Sequence, residues 1–229
     1  MLNYQKMIDQ NFQYSEIMKQ ILDVKKLPVE IFPTITVSRD PGSGGRDIAE
    51  KVASKLGLEY LEKKKLMKMI VKKAGLDTHL VEEALREETL SPWESIINNF
   101  LGLKKLDEYT FIRTLIEVLL ETAAKKPFVV LGRGANFILP PEATLRVRVT
   151  APRRVLIKYA MQFENKNRME ARQTIDKYLK SRRDYVYKYF SKDIKKSHYY
   201  DLCLSTEFLS IDQATDIAVA AFKGKFDIR

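Results

Sequence analysis

Residues 38–49, SRDPGSGGRDIA, carry the densest set of groups suited to chemistry in this chain. They follow a short β-like run, residues 34–37, and lead into a helix-like run, residues 48–56. A glycine-rich turn between a buried strand and a helix aims successive backbone N–H groups and a helix N-terminus at one point. That arrangement binds phosphate without any particular side chain. Gly42, Gly44 and Gly45 can take positive φ and let a phosphate approach the backbone. Pro41, Ser43, Arg46 and Asp47 complete the candidate cradle. The spacing departs from the pattern GxxxxGKS/T. Aligned without a gap, Arg39 stands at the first Gly, Gly45 at the Lys and Arg46 at the Ser/Thr. Shifted by one residue, Arg46 falls on the Lys and Asp47 on the Ser/Thr. A cation is kept either way, and the hydroxyl that normally holds Mg²⁺ is missing. Other oxygens must then serve the metal: Ser43, Asp40 or Asp47, or water and the nucleotide phosphates alone. The simpler alternative is a β-to-α turn with no ligand.

A second constellation, Gly132-Arg133-Gly134, follows the apolar run PFVVL at residues 127–131. Ligands of open α/β sheets bind at the carboxyl ends of strands. An arginine held between two glycines there can be presented rigidly to a phosphate.

The elements that must position these groups alternate. Strand candidates are residues 34–37, 58–61, 127–131, 145–150 and 201–205. Helical runs separate them, with the last beginning behind Ser210 as N-cap. Short apolar strands alternating with helices predict a parallel sheet with helices on both faces. Residues 1 to about 27 read as an amphipathic helix, an extension docked on the domain or on a second copy in a homo-oligomer. Residues 63–126 are helical throughout, with Asp77 or Thr78 and Ser91 as N-caps and Trp93 packed inward. His79 and His198 are assigned no role.

The charge narrows the partners. The net charge of +10 would ordinarily suggest nucleic acid. Residues 146–198 hold 16 Lys/Arg against 5 Asp/Glu, so the remainder is nearly neutral. One basic module on a neutral body suits a multiply charged small ligand better than a broad polyanion. Tyr178, Tyr185, Tyr187 and Tyr189 interleave that module and could stack on bases of single-stranded RNA. Packing of the helix onto the body is the favoured reading. The single cysteine, Cys203, excludes an internal disulfide, and the alternation around it predicts a buried thiol in a reducing, cytoplasmic setting. No apolar run approaches a membrane span, and the N-terminal residues lack a signal-peptide layout.

Taken in order, SRDPGSGGRDIAEKVASKLGLEYLEKKKLM, VVLGRGANFILPPEATLRVRVTAP, YLKSRRDYVYKYF and YYDLCLSTEFLSIDQATDIA resemble the cytidylate kinase-like family of P-loop nucleoside monophosphate kinase relatives. The resemblance runs from Thr34 onward, in the branch where GSGGR replaces the usual Lys-Ser loop. It implies one kinase-like domain over residues 32–229, with a five-stranded parallel sheet of order 2-3-1-4-5 in a three-layer α/β fold. It also implies a helical acceptor-binding insert over about 62–125 and a basic lid over about 164–199. By position, residues 42–46 would cradle the ATP phosphates, Glu62 would meet the acceptor nucleoside, and Arg133 the acceptor phosphate. Arg182, Arg183 and Asp184 match a lid segment, with Lys180 and Lys188 as neighbouring cations. The implied activity is ATP-dependent phosphoryl transfer to CMP or dCMP, with Mg²⁺ held weakly by the protein. A kinase of another small acceptor, and a nucleotide-binding regulator without transfer activity, are the alternatives.

Overall fold

The computed structural model describes residues 31–75, 108–164 and 167–228. The predicted N-terminal helix, and the turn and caps at Asp77, Thr78, His79, Ser91 and Trp93, lie outside the described residues.

Five strands form one sheet: β1 (Thr34–Arg39), β2 (Glu59–Leu61), β3 (Phe128–Leu131), β4 (Thr144–Thr150) and β5 (Leu202–Ser205). Their order is β2-β3-β1-β4-β5 and every pairing is parallel. Parallel neighbours need long crossovers, and the helices of this chain supply them. The described helices are α1 (Gly45–Leu56), α2 (Lys63–Lys73), α3 (Glu108–Ala123), α4 (Ala135–Ile138), α5 (Arg153–Glu164), α6 (Arg168–Phe190) and α7 (Ile211–Lys225).

Two apolar layers hold the sheet. On one side Leu61, Phe128 and Val130 meet Leu66, Met67 and Ile70 of α2 and Phe111, Leu115 and Leu119 of α3. On the other, Ile35, Val37, Val129, Val147 and Val149 meet Ile48 and Val52 of α1 and Ala214, Ala218 and Phe222 of α7. The long basic helix α6 divides its contacts. Ala171 and Ile175 pack on Leu156 and Ala160 of α5, whereas Tyr185, Val186, Tyr189 and Phe190 enter the first layer. Two of its tyrosines thus serve packing, while Tyr187 stays exposed.

Helix ends follow local chemistry. Asn167 Oδ1 accepts from the Met169 and Glu170 amides, and Glu170 Oε2 accepts from the Asn167 amide, which starts α6. Ser210 and Gln213 form the same reciprocal cap on α7. Cys203 does not take the buried place expected of it. β5 is an edge strand on which Leu204 turns inward and Cys203 outward, so the alternation was right and its phase was not.

Candidate functional site: an arginine cluster beneath a glycine-rich loop

β1 ends at Arg39, and the chain then folds back on the carboxyl edge of the sheet. The Asp40 amide donates to Val149 O at 2.9 Å, and the Ser43 hydroxyl donates to Asp40 O at 2.9 Å. Thr206 Oγ1, from the loop after β5, donates to Ser43 O at 3.0 Å. The loop is therefore tied to β1, β4 and the segment before α7. Gly42 and Gly44 are left-handed, with φ of 73° and 70°. Gly44 directly precedes α1, and no side chain caps that helix. Its first N–H groups are offered at the loop, as a phosphate requires. The helix begins at Gly45, three residues before the predicted start, because the turn feeds straight into it.

Arginines from four elements gather at this edge. Arg39 ends β1, Arg133 follows β3, Arg148 lies in β4 and Arg182 in α6. Arg133 is itself left-handed (φ 62°), between Gly132 at 75° and Gly134 at 67°. A left-handed arginine is uncommon and costs roughly 1 kcal/mol or more, the kind of strain retained at functional positions. Tyr185 Oη donates to Arg133 O at 3.4 Å, and Arg182 Nη1 donates to Arg39 O at 2.7 Å. Arg148 Nη2 donates to Asp40 Oδ1 at 2.5 Å, and Thr150 Oγ1 donates to Asp40 Oδ2 at 2.5 Å.

Burial lowers the guanidinium pKa of Arg39 to about 10, and repulsion from Arg148 and Arg46 adds to it, partly offset by Tyr60. Arg133 and Arg182 fall well below the usual arginine value, first through burial and then through repulsion from Arg39. A guanidinium is not deprotonated in proteins, so all three carry positive charge. Asp40 acts favourably on Arg182, and its own oxygens are already taken by Arg148 and Thr150. Positive charge is thus concentrated in excess of what this carboxylate offsets. An incoming anion supplies the balance.

The structure brings together some of the sequence-derived residues and separates others. Residues 41–45, Arg133 and Arg182 lie at the carboxyl edge of the sheet, and Glu62 precedes α2, where its charge acts on Tyr60. Arg46 and Asp47 sit on the first turn of α1 and are exposed. Arg183 and Asp184 are exposed on α6, since consecutive helical residues point about 100° apart and Arg182 takes the inward direction. Lys180 is exposed, and Lys188 lies over the Tyr189 ring. Ser43 is buried with its hydroxyl engaged, so it holds the loop. Among the described residues no group of three His, Cys, Asp or Glu side chains gathers to hold a metal.

Sequence reasoning missed Arg39 and Arg148 as members of the cluster. Arg148 could have been suspected as a charge inside an apolar alternation. Its partnership with Asp40 depends on the pairing of Ser38 with Arg148 between β1 and β4, which no local pattern reveals.

The sequence profile of the cytidylate kinase-like family matches residues 34–207. An uncharacterized protein from Eubacterium ventriosum ATCC 27560 has a similar solved structure, with 20% identity, TM-score 0.61, and coverage of 83% of this chain and 98% of that one. At that identity the likeness concerns the fold. A gluconokinase from Sinorhizobium meliloti 1021 aligns at 14% identity and TM-score 0.47, covering 87% and 94% of the two chains. A shikimate kinase from Acinetobacter baumannii aligns at 18% and 0.45, covering 86% and 94%. No curated protein matches this sequence. Among the described residues no helix is long and apolar enough to cross a membrane.

Proposed function

This chain belongs to the cytidylate kinase-like family, and on that premise we propose that it transfers a phosphoryl group from ATP to a nucleoside monophosphate, with CMP or dCMP as acceptor. Family membership supports the coarser statement, phosphoryl transfer to a small acceptor. The observation that carries the reading is the convergence of Arg39, Arg133, Arg148 and Arg182 beside an uncapped helix N-terminus. Phosphoryl transfer asks little covalent chemistry of a protein and much charge neutralisation and alignment. An edge with this excess of guanidinium groups fits that demand.

ATP bound with Mg²⁺ supplies the transferable phosphoryl group. The loop of residues 41–47 would hold its phosphates through backbone N–H groups, since Gly44 leaves the start of α1 open to them. Arg133 would orient the acceptor phosphate bidentately and Glu62 the acceptor nucleoside. Arg182, anchored to Arg39 O and followed by the buried Tyr185 and Val186, would add a fixed cation at this edge. Arg183 and Asp184 would reach substrate only if the exposed face of α6 closed over it. Because Ser43 and Asp40 are engaged, Mg²⁺ would rest on the nucleotide phosphates and water.

ADP release from purified protein with Mg²⁺-ATP and each nucleoside monophosphate tests the proposal. Turnover is expected with CMP or dCMP; background release with every monophosphate rules it out. A nucleotide-binding regulator is the second reading, favoured by the exposure of Arg46, the residue placed to substitute for the missing lysine. Replacing Arg46 by Ala separates the two. A rate that falls by orders of magnitude while ATP affinity drops modestly excludes the regulator.

A further inference from the structure

We propose that Arg39 is the phosphate-contacting cation that this loop uses in place of the absent lysine, reaching the bound nucleotide from beneath the loop. The inference rests on the phosphoryl-transfer reading and names a residue to which neither the loop pattern nor the family resemblance gave this role.

Two glycines record the path of the side chain. A Cβ on Gly45 would lie 2.5 Å from Arg39 Cβ, and one on Gly132 would lie 2.6 Å from Arg39 Nη1. The first residue of α1 and the turn after β3 therefore close over the two ends of one side chain. Arg39 leaves β1, passes under the start of α1 and brings its guanidinium to the neighbouring strand end. In a P-loop the lysine approaches the phosphates from the helix side. Here Arg46, on that helix, is exposed, and Arg39 is the cation enclosed between loop and strand ends.

Its company distinguishes it from a structural arginine. Arg146 is clasped by Asp201, and Arg148 by Asp40. Among the described residues no carboxylate forms an ion pair with Arg39, and the groups that shift its pKa are Tyr60, Arg148 and Arg46. Arg39 in turn acts on Arg133 and Arg182, raising the local positive potential. The Tyr60 hydroxyl is buried without a hydrogen-bond partner, and burial raises its pKa to about 12, so it remains a neutral donor. A half-buried guanidinium without an ion-paired carboxylate, beside a buried hydroxyl with no acceptor, is a pair of donors waiting for one anion. Phosphate oxygens at the transferring end of a nucleotide answer both.

The experiment is calorimetric titration of ATP and of inorganic tripolyphosphate, in chelator, into the wild type, Arg39→Gln and Arg39→Lys. Ligand-free melting temperatures are measured alongside. Arg39→Gln is expected to lose about 10- to 100-fold in affinity for both ligands, the loss of a charged hydrogen-bond donor. Its ligand-free melting temperature is expected to hold or rise, because repulsion within the cluster is relieved. Wild-type affinity in Arg39→Gln, or a lower melting temperature with affinity intact, makes Arg39 a structural plug and overturns the proposal. If Arg39→Gln melts too low to titrate, Arg39→Lys decides: retained charge without the planar fork should weaken binding by roughly tenfold, and unchanged affinity overturns it. A wild type that binds neither ligand in chelator but binds ATP once Mg²⁺ is added overturns this proposal alone; a wild type that binds no ATP with Mg²⁺ either removes the phosphoryl-transfer reading as well.

Discussion

Asp40 shows how a residue suited to chemistry can be spent on architecture. Its position beside the loop made it a candidate metal ligand, yet its carboxylate joins Arg148 and Thr150 inside the protein. Asp40→Asn should destabilise the domain by about 3–5 kcal/mol, because it leaves a guanidinium buried without its countercharge. Denaturant unfolding measures this, and a cost near zero would mean that the pair is solvated. Asp201 provides the contrast at the sheet edge. Burial pushes its pKa up, but hydrogen bonds from Arg146 and Lys225 overcome that and hold it at about 2. A depressed carboxylate contributes stability above its unfolded pKa and loses it as pH falls through the folded one. Asp201→Asn should therefore destabilise the protein at neutral pH and progressively less between pH 3.8 and about 2. Thermal melts of both forms across that window check the sign. Neither role was legible from the sequence, because Asp40 depends on Arg148 and Asp201 on Arg146, each more than fifty residues away.

The strands and helices were far more readable than the contacts they make. Apolar runs and alternation located the five strands to within a residue or two, and the resemblance gave their order, which the sheet follows. Ser210 was legible as a cap because its chemistry is local. Three features escaped for physical reasons. The start of α1 holds two adjacent glycines, whose low helix propensity hides a helix fixed by tertiary contacts. The true start of α6 lies at an Asn-x-x-Glu cap written just before the periodic run. The inward turn of Arg182, with Arg183 and Asp184 left exposed, depends on how α6 docks. That docking yields a prediction. A Cβ on Gly134 would lie 2.2 Å from the Phe190 ring, and Gly134 has φ of +67°. Gly134→Ala should cost about 2–4 kcal/mol, combining backbone strain with displacement of the ring that fastens α6 to the β3 loop. Chemical denaturation reads it directly, and a neutral effect would show that α6 is not fixed there.

Across the whole molecule, part of the positive charge of residues 146–198 is taken up inside the fold, while Lys180, Arg183 and other cations of the segment stay exposed. Arg146, Arg148, Arg153 and Arg154 are paired with carboxylates, and Arg182 is directed at the carboxyl edge of the sheet. The convergence of Arg39, Arg133, Arg148 and Arg182 at one sheet edge favours a small polyanion over a long one. Single-stranded RNA should bind only weakly at physiological salt; tight binding of oligonucleotides there, lost steeply as salt rises, would favour an RNA-binding role. The most direct test of the account is one calorimetric experiment, ATP titrated into the protein with a chelator and then with Mg²⁺. If the arginine cluster supplies the charge that a lysine and a protein-held metal supply elsewhere, ATP binds in chelator and Mg²⁺ improves its affinity by no more than about tenfold. Binding that disappears on chelation would contradict the account, because it would place the essential charge on a metal site and not on the arginines.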